Sequence, residues 1–221
     1  MRRAAAVLGA LLAACAMSGK EVALDVGHNA AEPGAISAGG VPEFDYNLAL
    51  ALRVRMALES AGLRVRMIGE RGDYADLYAR TRDARGASLF VSIHHDSVKE
   101  RLRPEAGRFS GFSLFVSHLN PHAAQSLACA SAIGARLRAA GFAPSRYHAD
   151  PEAGEGRAFA DETNGVHWFD ELAVARGAAM PAVLIEAGVI ANRDEERRMA
   201  DEGIRDSIAR AVAQGVEQCL N

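Results

Sequence analysis

The sequence is short of several things, and each shortage excludes something. It has only three cysteines in 221 residues, with no closely spaced pair, which excludes a disulfide-built scaffold, a zinc knuckle and a Cys-x-x-Cys redox centre. Lysine is nearly missing: Lys20 and Lys99 stand alone and arginine supplies every other basic residue, a bias of codon usage rather than of chemistry. There is no surplus of positive charge, since 25 basic side chains face 28 acidic ones for a formal charge of −3. A general nucleic-acid binder needs such a surplus to neutralise phosphates. Repeated runs of about 20 apolar residues are lacking as well, which excludes a multi-span membrane protein. Apolar residues as a class are not scarce. They make up 49% of the chain, too many for a disordered segment, and the length suits one globular domain with a real core.

The first residues stand apart from the rest. Arg2 and Arg3 precede an apolar run over 4–14, too short to span a bilayer but the length of a signal-peptide hydrophobic region. We therefore expect a signal peptide over 1–15 and export to the periplasm or cell envelope. Two processing routes compete at its end. Leu12-Ala13-Ala14-Cys15 resembles a lipoprotein signal, with Cys15 lipidated and the protein anchored to a membrane, while Ala14-Cys15-Ala16 also satisfies the small-x-small rule of ordinary cleavage. Cleavage before Cys15 removes two arginines and no acid, so the charge falls from −3 to −5. Cys129 and Cys219, each in a helical pattern, are either buried thiols or, in an exported protein, one disulfide.

From residue 20 onward strands and helices alternate. Strands are expected over 22–26, 63–67, 89–93, 112–116 and 182–185. Between them lie a helix from Glu43 ended by Gly62, a second over 74–85, a third capped by Asn120-Pro121 and ended by Gly141, and a C-terminal helix over 194–220 broken near Gly203. Residues 142–170 are polar and aperiodic, and read as an active-site loop. The fold class that follows is α/β: a single domain over 20–221 with a twisted, mostly parallel or mixed sheet of about five to six strands, covered by helices on both faces.

The chemistry sits at the strand ends. His28 follows the first strand, His94 and His95 follow the strand over 89–93, and Glu186 follows the last strand. In open α/β sheets ligands bind beyond the carboxyl ends of the strands, so these separate stretches are able to meet in one cleft. Glu43 joins them at a helix start, where a carboxylate is favoured. Two imidazoles and one carboxylate leave a tetrahedral metal with an open position, the composition of a catalytic zinc site. A further carboxylate then serves as general base. His118, His122, His148 and His167 are expected to be surface or hydrogen-bonded residues.

Val22-Ala-Leu-Asp-Val-Gly-His28, Glu43-Phe-Asp45-Tyr-Asn47-Leu48, Ser92-Ile-His94, and Pro181-Ala-Val-Leu-Ile-Glu186-Ala-Gly188 with Asn192 resemble the four signature segments of the zinc-dependent N-acetylmuramoyl-L-alanine amidases of the amidase 3 family. Leu172-Ala-Val-Ala-Arg176 resembles the segment leading into the last catalytic strand. The resemblance implies one zinc ion held by His28, Glu43 and His94, with Glu186 as acid and base, acting on peptidoglycan. Relatives in the family can carry a regulatory helix that blocks the metal until a partner displaces it, which makes a protein activator a candidate partner. Here the segment from Lys99 to Phe109 is too short and irregular to read as that helix, and the stretch from Phe142 to Asp170 is the candidate to cover the cleft. The sequence departs from the family in placing Asn29-Ala30 after the first histidine, His95-Asp96 after the second, and Val189 near the last motif. His95 competes with His94 as ligand, but strand alternation sends the two to opposite faces and the motif register favours His94. Asn47, His95, Arg157 and Arg176 are the candidates for contacting substrate, the arginines through peptide carboxylates. We expect a monomer, no nucleic acid, and targeting by the anchor, the cleft or a partner. The alternatives are a peptidoglycan-binding envelope lipoprotein that does not cut, and a zinc peptidase on a related fold.

Overall fold

A computed structural model describes residues 19–74 and 76–221; the expected signal segment and Cys15 lie outside the described residues. The first strand, β1 (Glu21–Val26), leads through a loop into α1 (Glu43–Ser60), then β2 (Arg64–Ile68), α2 (Leu77–Asp83) and β3 (Leu89–Asp96). A 3₁₀ helix, Glu100–Arg108, precedes β4 (Ser113–Val116) and α3 (Ala123–Ala139). Next come β5 (Phe159–Asp161), β6 (Val166–Trp168), α4 (Ala173–Gly177), β7 (Ala182–Val189), α5 (Arg193–Ala200) and α6 (Glu202–Leu220). The sheet has seven strands in the order β2-β1-β3-β7-β4-β6-β5. Neighbours from β2 to β7 are parallel, while β4 runs antiparallel to β7.

Side-chain alternation divides the core between the two faces of the sheet. Val22, Leu24, Val91, Ile93, Val183 and Ile185 point to one face, against Leu50, Val54 and Leu58 of α1, Ile133 of α3 and Val212 of α6. Ala23, Phe90, Ala182 and Leu184 point to the other, which is covered by the short helices α2 and α4 with Ala84, Val174 and Met180. Three long helices seal the first face. The two short ones leave the second face open at the carboxyl ends of the parallel strands. A disulfide joins Cys129 of α3 to Cys219 of α6, which resolves the choice between free thiols and a bridge.

Several boundaries differ from the sequence reading. Two strands, β5 and β6, lie inside the stretch 142–170 read as loop, and they raise the count to seven. With three residues each they are too short for a period of two to register. The strands β3 and β7 run on through the residues expected to follow them, so His94 and Glu186 belong to strands and lie directly opposite each other in the ladder. Apolar content falls at those positions while backbone pairing continues. The third helix begins at Ala123 rather than Pro121. The Asn120 side chain accepts from the amide of His122 and donates to the carbonyls of Ala175, Ala178 and Met180, tying the turn to α4. The C-terminal helix breaks near Gly203 as expected, at Asp201, whose carboxylate accepts from the Ile204 amide and caps α6. The second helix covers 77–83 only, starting where Asp76 accepts from the amide of Tyr78.

Candidate metal centre

The open end of the sheet is where three side chains converge. His28 stands in the turn after β1, Glu43 on the first turn of α1, and His94 near the end of β3. One donor atom from each lies within 4.8 Å of the others. The two oxygens of Glu43 are shared out: Oε2 is 3.1 Å from Nε2 of His28 and Oε1 is 3.1 Å from Nδ1 of His94. Bonds of about 2.0–2.2 Å in a tetrahedron place donor atoms roughly 3.3–3.6 Å apart, so this spacing fits a small divalent ion. Burial by itself would raise the Glu43 pKa, but hydrogen bonds and charge from His28 and His94 hold the carboxyl well below the ordinary carboxylate range.

Close packing keeps these groups in register. A Cβ on Gly27 would lie 2.3 Å from the His94 ring, and one on Gly34 would lie 2.4 Å from Oε2 of Glu43. Only glycine leaves both spaces clear. His28 has φ of 67°, the only positive φ of a non-glycine among the described residues. That left-handed conformation costs roughly 1–3 kcal/mol and persists only where the surroundings impose it.

Glu186 projects beside this cluster from β7. It is half-buried, and its Oε2 is sealed with no hydrogen-bond partner among the described residues. Burial first, then the carboxylates of Asp96, Glu43 and Glu155, push its pKa well above the usual carboxylate value. A cavity of about 430 Å³ opens next to His28 and His94, walled by Leu77 of α2 and by Leu172, Ala173 and Val174 at α4.

The four residues proposed to contact substrate are placed differently from one another. Asn47 and His95 are buried rather than facing the cleft. His95 points to the α1 side of the sheet, and its Nδ1 lies 2.9 Å from Oδ1 of Asn47. Asn47 in turn donates to Oε1 of Glu43 and to the Gly27 carbonyl. Both act on the carboxylate from behind, and neither is able to touch a substrate. Burial also holds His95 neutral, with its pKa lowered to about 3. Arg157 is mostly covered: it stacks on Phe169 at 3.2 Å from the ring centroid and pairs with Glu155 at 2.7 Å. Arg176 is exposed on α4, where it donates to the hydroxyl of Tyr78.

Two groups of residues escaped the sequence reading. Asp25 and Arg80 form a buried ion pair at the floor of the cavity. Asp25 within an apolar strand is a visible signal, but nothing in the sequence ties it to Arg80. His148, expected on the surface or in a hydrogen bond, is buried with both ring nitrogens engaged: Nε2 lies 2.6 Å from Asp96 and Nδ1 lies 2.9 Å from Glu155. Burial alone would lower its pKa, yet the two carboxylates outweigh it and push the imidazole up to about 9. His167 is buried nearby with neither ring nitrogen bonded among the described residues, and burial lowers it to about 4.

Comparison with known proteins bears on this arrangement. The family profile described as N-acetylmuramoyl-L-alanine amidase matches residues 22–218. The N-acetylmuramoyl-L-alanine amidase AmiC of Neisseria meningitidis is 27% identical over 224 residues, covering 90% of this chain and 52% of that protein. The chain thus spans about half the length of that relative. In fold it is similar to the N-acetylmuramyl-L-alanine amidase Ami1 from Mycobacterium smegmatis, with a TM-score of 0.75 and 24% identity over 92% of this chain and 98% of the other. It is also similar to the CwlD amidase from Clostridioides difficile, solved in complex with the GerS lipoprotein, with a TM-score of 0.69 and 24% identity over 91% and 98%.

Proposed function

Because the chain belongs to the N-acetylmuramoyl-L-alanine amidase family, we propose that it hydrolyses the amide joining the lactyl group of N-acetylmuramic acid to L-alanine in peptidoglycan. The observation that carries this is the meeting of His28, Glu43 and His94 beside an unpartnered carboxyl oxygen of Glu186. Their two imidazoles and one carboxylate are a donor set suited to one zinc ion with a position left open. Zinc bound there supplies a Lewis acid that polarises the scissile carbonyl and makes water acidic enough to attack near neutral pH.

The protein's own groups do the rest. Glu186, made basic by burial, takes a proton from the attacking water and returns it to the nitrogen of the departing L-alanine. Asn47 holds Oε1 of Glu43 and so fixes which way the carboxylate faces. Leu77 and the start of α4 supply the apolar wall of the cavity beside His28 and His94. Of the two arginines, Arg176, exposed on α4, is the candidate to hold a peptide carboxylate. Arg157 already has acidic partners in Glu155 and Glu171.

The catalytic domain is taken as 20–221, preceded by a signal segment. Export to the periplasm or envelope follows, either as a soluble form or anchored through Cys15. A protein activator is part of the proposal, supported by the lipoprotein seen with the clostridial neighbour. The test is incubation with purified sacculi and analysis of products by mass spectrometry. Free stem peptides are expected, abolished by chelator and restored by zinc, and Glu186→Gln is expected to slow release by about 10²- to 10⁴-fold. Release untouched by chelator and by that substitution would overturn the mechanism. Binding to sacculi with no release under any condition, activator included, would leave a binding protein instead.

A further inference from the structure

We infer that Arg80 is a positioning residue for the metal centre, holding the His28 turn in its left-handed conformation through a buried frame shared with Asp25 and Ser92. The inference rests on the reading of His28, Glu43 and His94 as zinc ligands. Arg80 lies on α2, is 1% exposed, and is among the largest fully buried side chains in the protein. Its guanidinium reaches four acceptors. Nη1 donates to Oδ1 of Asp25 at 2.7 Å and to the carbonyl of Val26 at 2.6 Å. Nη2 donates to the carbonyl of His28 itself and to that of Tyr74. The second oxygen of Asp25 accepts from the hydroxyl of Ser92 at 2.6 Å. Ser92 lies on β3 two residues before His94, so its side chain shares a sheet face with that ligand.

The frame therefore touches both histidine-bearing segments from below. A hydrophobic side chain would fill the same space without the desolvation cost of a buried guanidinium, so packing alone does not account for an arginine. What it adds is a rigid fork with two nitrogens at fixed spacing, one for the Asp25 carboxylate and one for the carbonyl of a residue at φ 67°. Fixing that carbonyl fixes the peptide plane, and with it the direction in which the imidazole leaves the backbone. Lysine carries the same charge but not the fork, and a single ammonium is not able to span both acceptors.

The test compares Arg80→Lys and Ser92→Ala with the wild type and with Ile133→Val, a core variant in α3 far from the site. Zinc affinity is measured by chelator competition, and amide hydrogen exchange is followed in the metal-free proteins. Arg80→Lys is expected to weaken zinc binding at least tenfold, in the range of about 10- to 100-fold found for groups that orient ligands. Ser92→Ala, which removes one hydrogen bond to Asp25 and leaves the Arg80 fork in place, should give a smaller loss than Arg80→Lys. Ile133→Val should lose stability with zinc affinity unchanged. In metal-free Arg80→Lys, the amides of Gly27 and Asn29, which donate to Ile93 and Glu32, should exchange faster than in Ile133→Val. Wild-type zinc affinity in Arg80→Lys overturns the inference; if that variant does not fold, wild-type affinity in Ser92→Ala does. If the wild type itself binds no zinc, the zinc reading fails separately, and unchanged exchange at Gly27 and Asn29 then overturns the positioning role.

Discussion

Two clusters of the same residue types sit a few side chains apart around Glu186, and they differ in where their lone pairs point. In one, His28, Glu43 and His94 turn a donor atom each toward a common point, all within 4.8 Å. In the other, His148 lies between Asp96 and Glu155, and each ring nitrogen is committed to a different carboxylate, at 2.6 and 2.9 Å. A ring flanked by carboxylates at both nitrogens carries a proton on each and has no lone pair for a metal. The first cluster has the donor arrangement of a candidate metal site, and the second is a finished ion network that fastens the 145–157 loop to β3. Both mix imidazole with carboxylate, two rings to one acid in the first and one ring to two acids in the second, and it is the direction of the donor atoms that separates them.

The comparison breaks most sharply at a ligand. His94→Ala should cut zinc affinity by on the order of 10³-fold, measured by chelator competition. If His94→Ala still binds one zinc tightly, the two clusters have been assigned the wrong way round. His148→Gln should do the opposite. Breaking a buried ion network costs about 3 kcal/mol of stability, read by denaturant unfolding, while bound zinc stays at one per chain.

The same network gives a pH signature that sharpens the contrast. The folded pKa of His148, about 9, lies above its unfolded value of about 6.5. Between those values the folded state binds more protons, so the contribution is full below about pH 6.5 and disappears as pH rises through about 9. Unfolding of metal-free protein should show a loss on the order of 3 kcal/mol across that window. His148→Gln should flatten it, and a slope that survives the substitution would assign it to another group. The smallest effect expected is at Gly27. An added Cβ would meet the His94 ring at 2.3 Å, so Gly27→Ala should weaken zinc about tenfold and leave the His148 pH dependence as it was.

Much of the fold was legible because long elements repeat their pattern. The spacing of Leu50, Val54 and Leu58 marks α1, and the apolar run from Leu89 to Ile93 marks β3. The two strands at 159–161 and 166–168 escaped because three residues carry no period. A boundary moved where a side chain overrode a proline signal, as Asn120 does by bonding α4 instead of capping α3. In the site, His28, Glu43 and His94 were legible from their places at strand and helix ends. Asn47 and His95 were assigned to substrate because their motifs mark them as important without saying which way they face. Burial turned both into supports for Glu43.

By itself the sequence determined the alternation of strands and helices, the family to which the chain belongs, and which side chains have the chemistry of a metal site. Those properties are local: a period, a cap, a donor atom on a side chain. Only the tertiary structure decided that His94 and Glu186 are cross-strand neighbours, that His148 is consumed by two carboxylates, and that Arg80 reaches across 52 residues to the carbonyl of His28. Each of these depends on distances between segments remote in the chain, and on how far water is excluded between them. Burial and the direction of a lone pair exist only once the chain has closed.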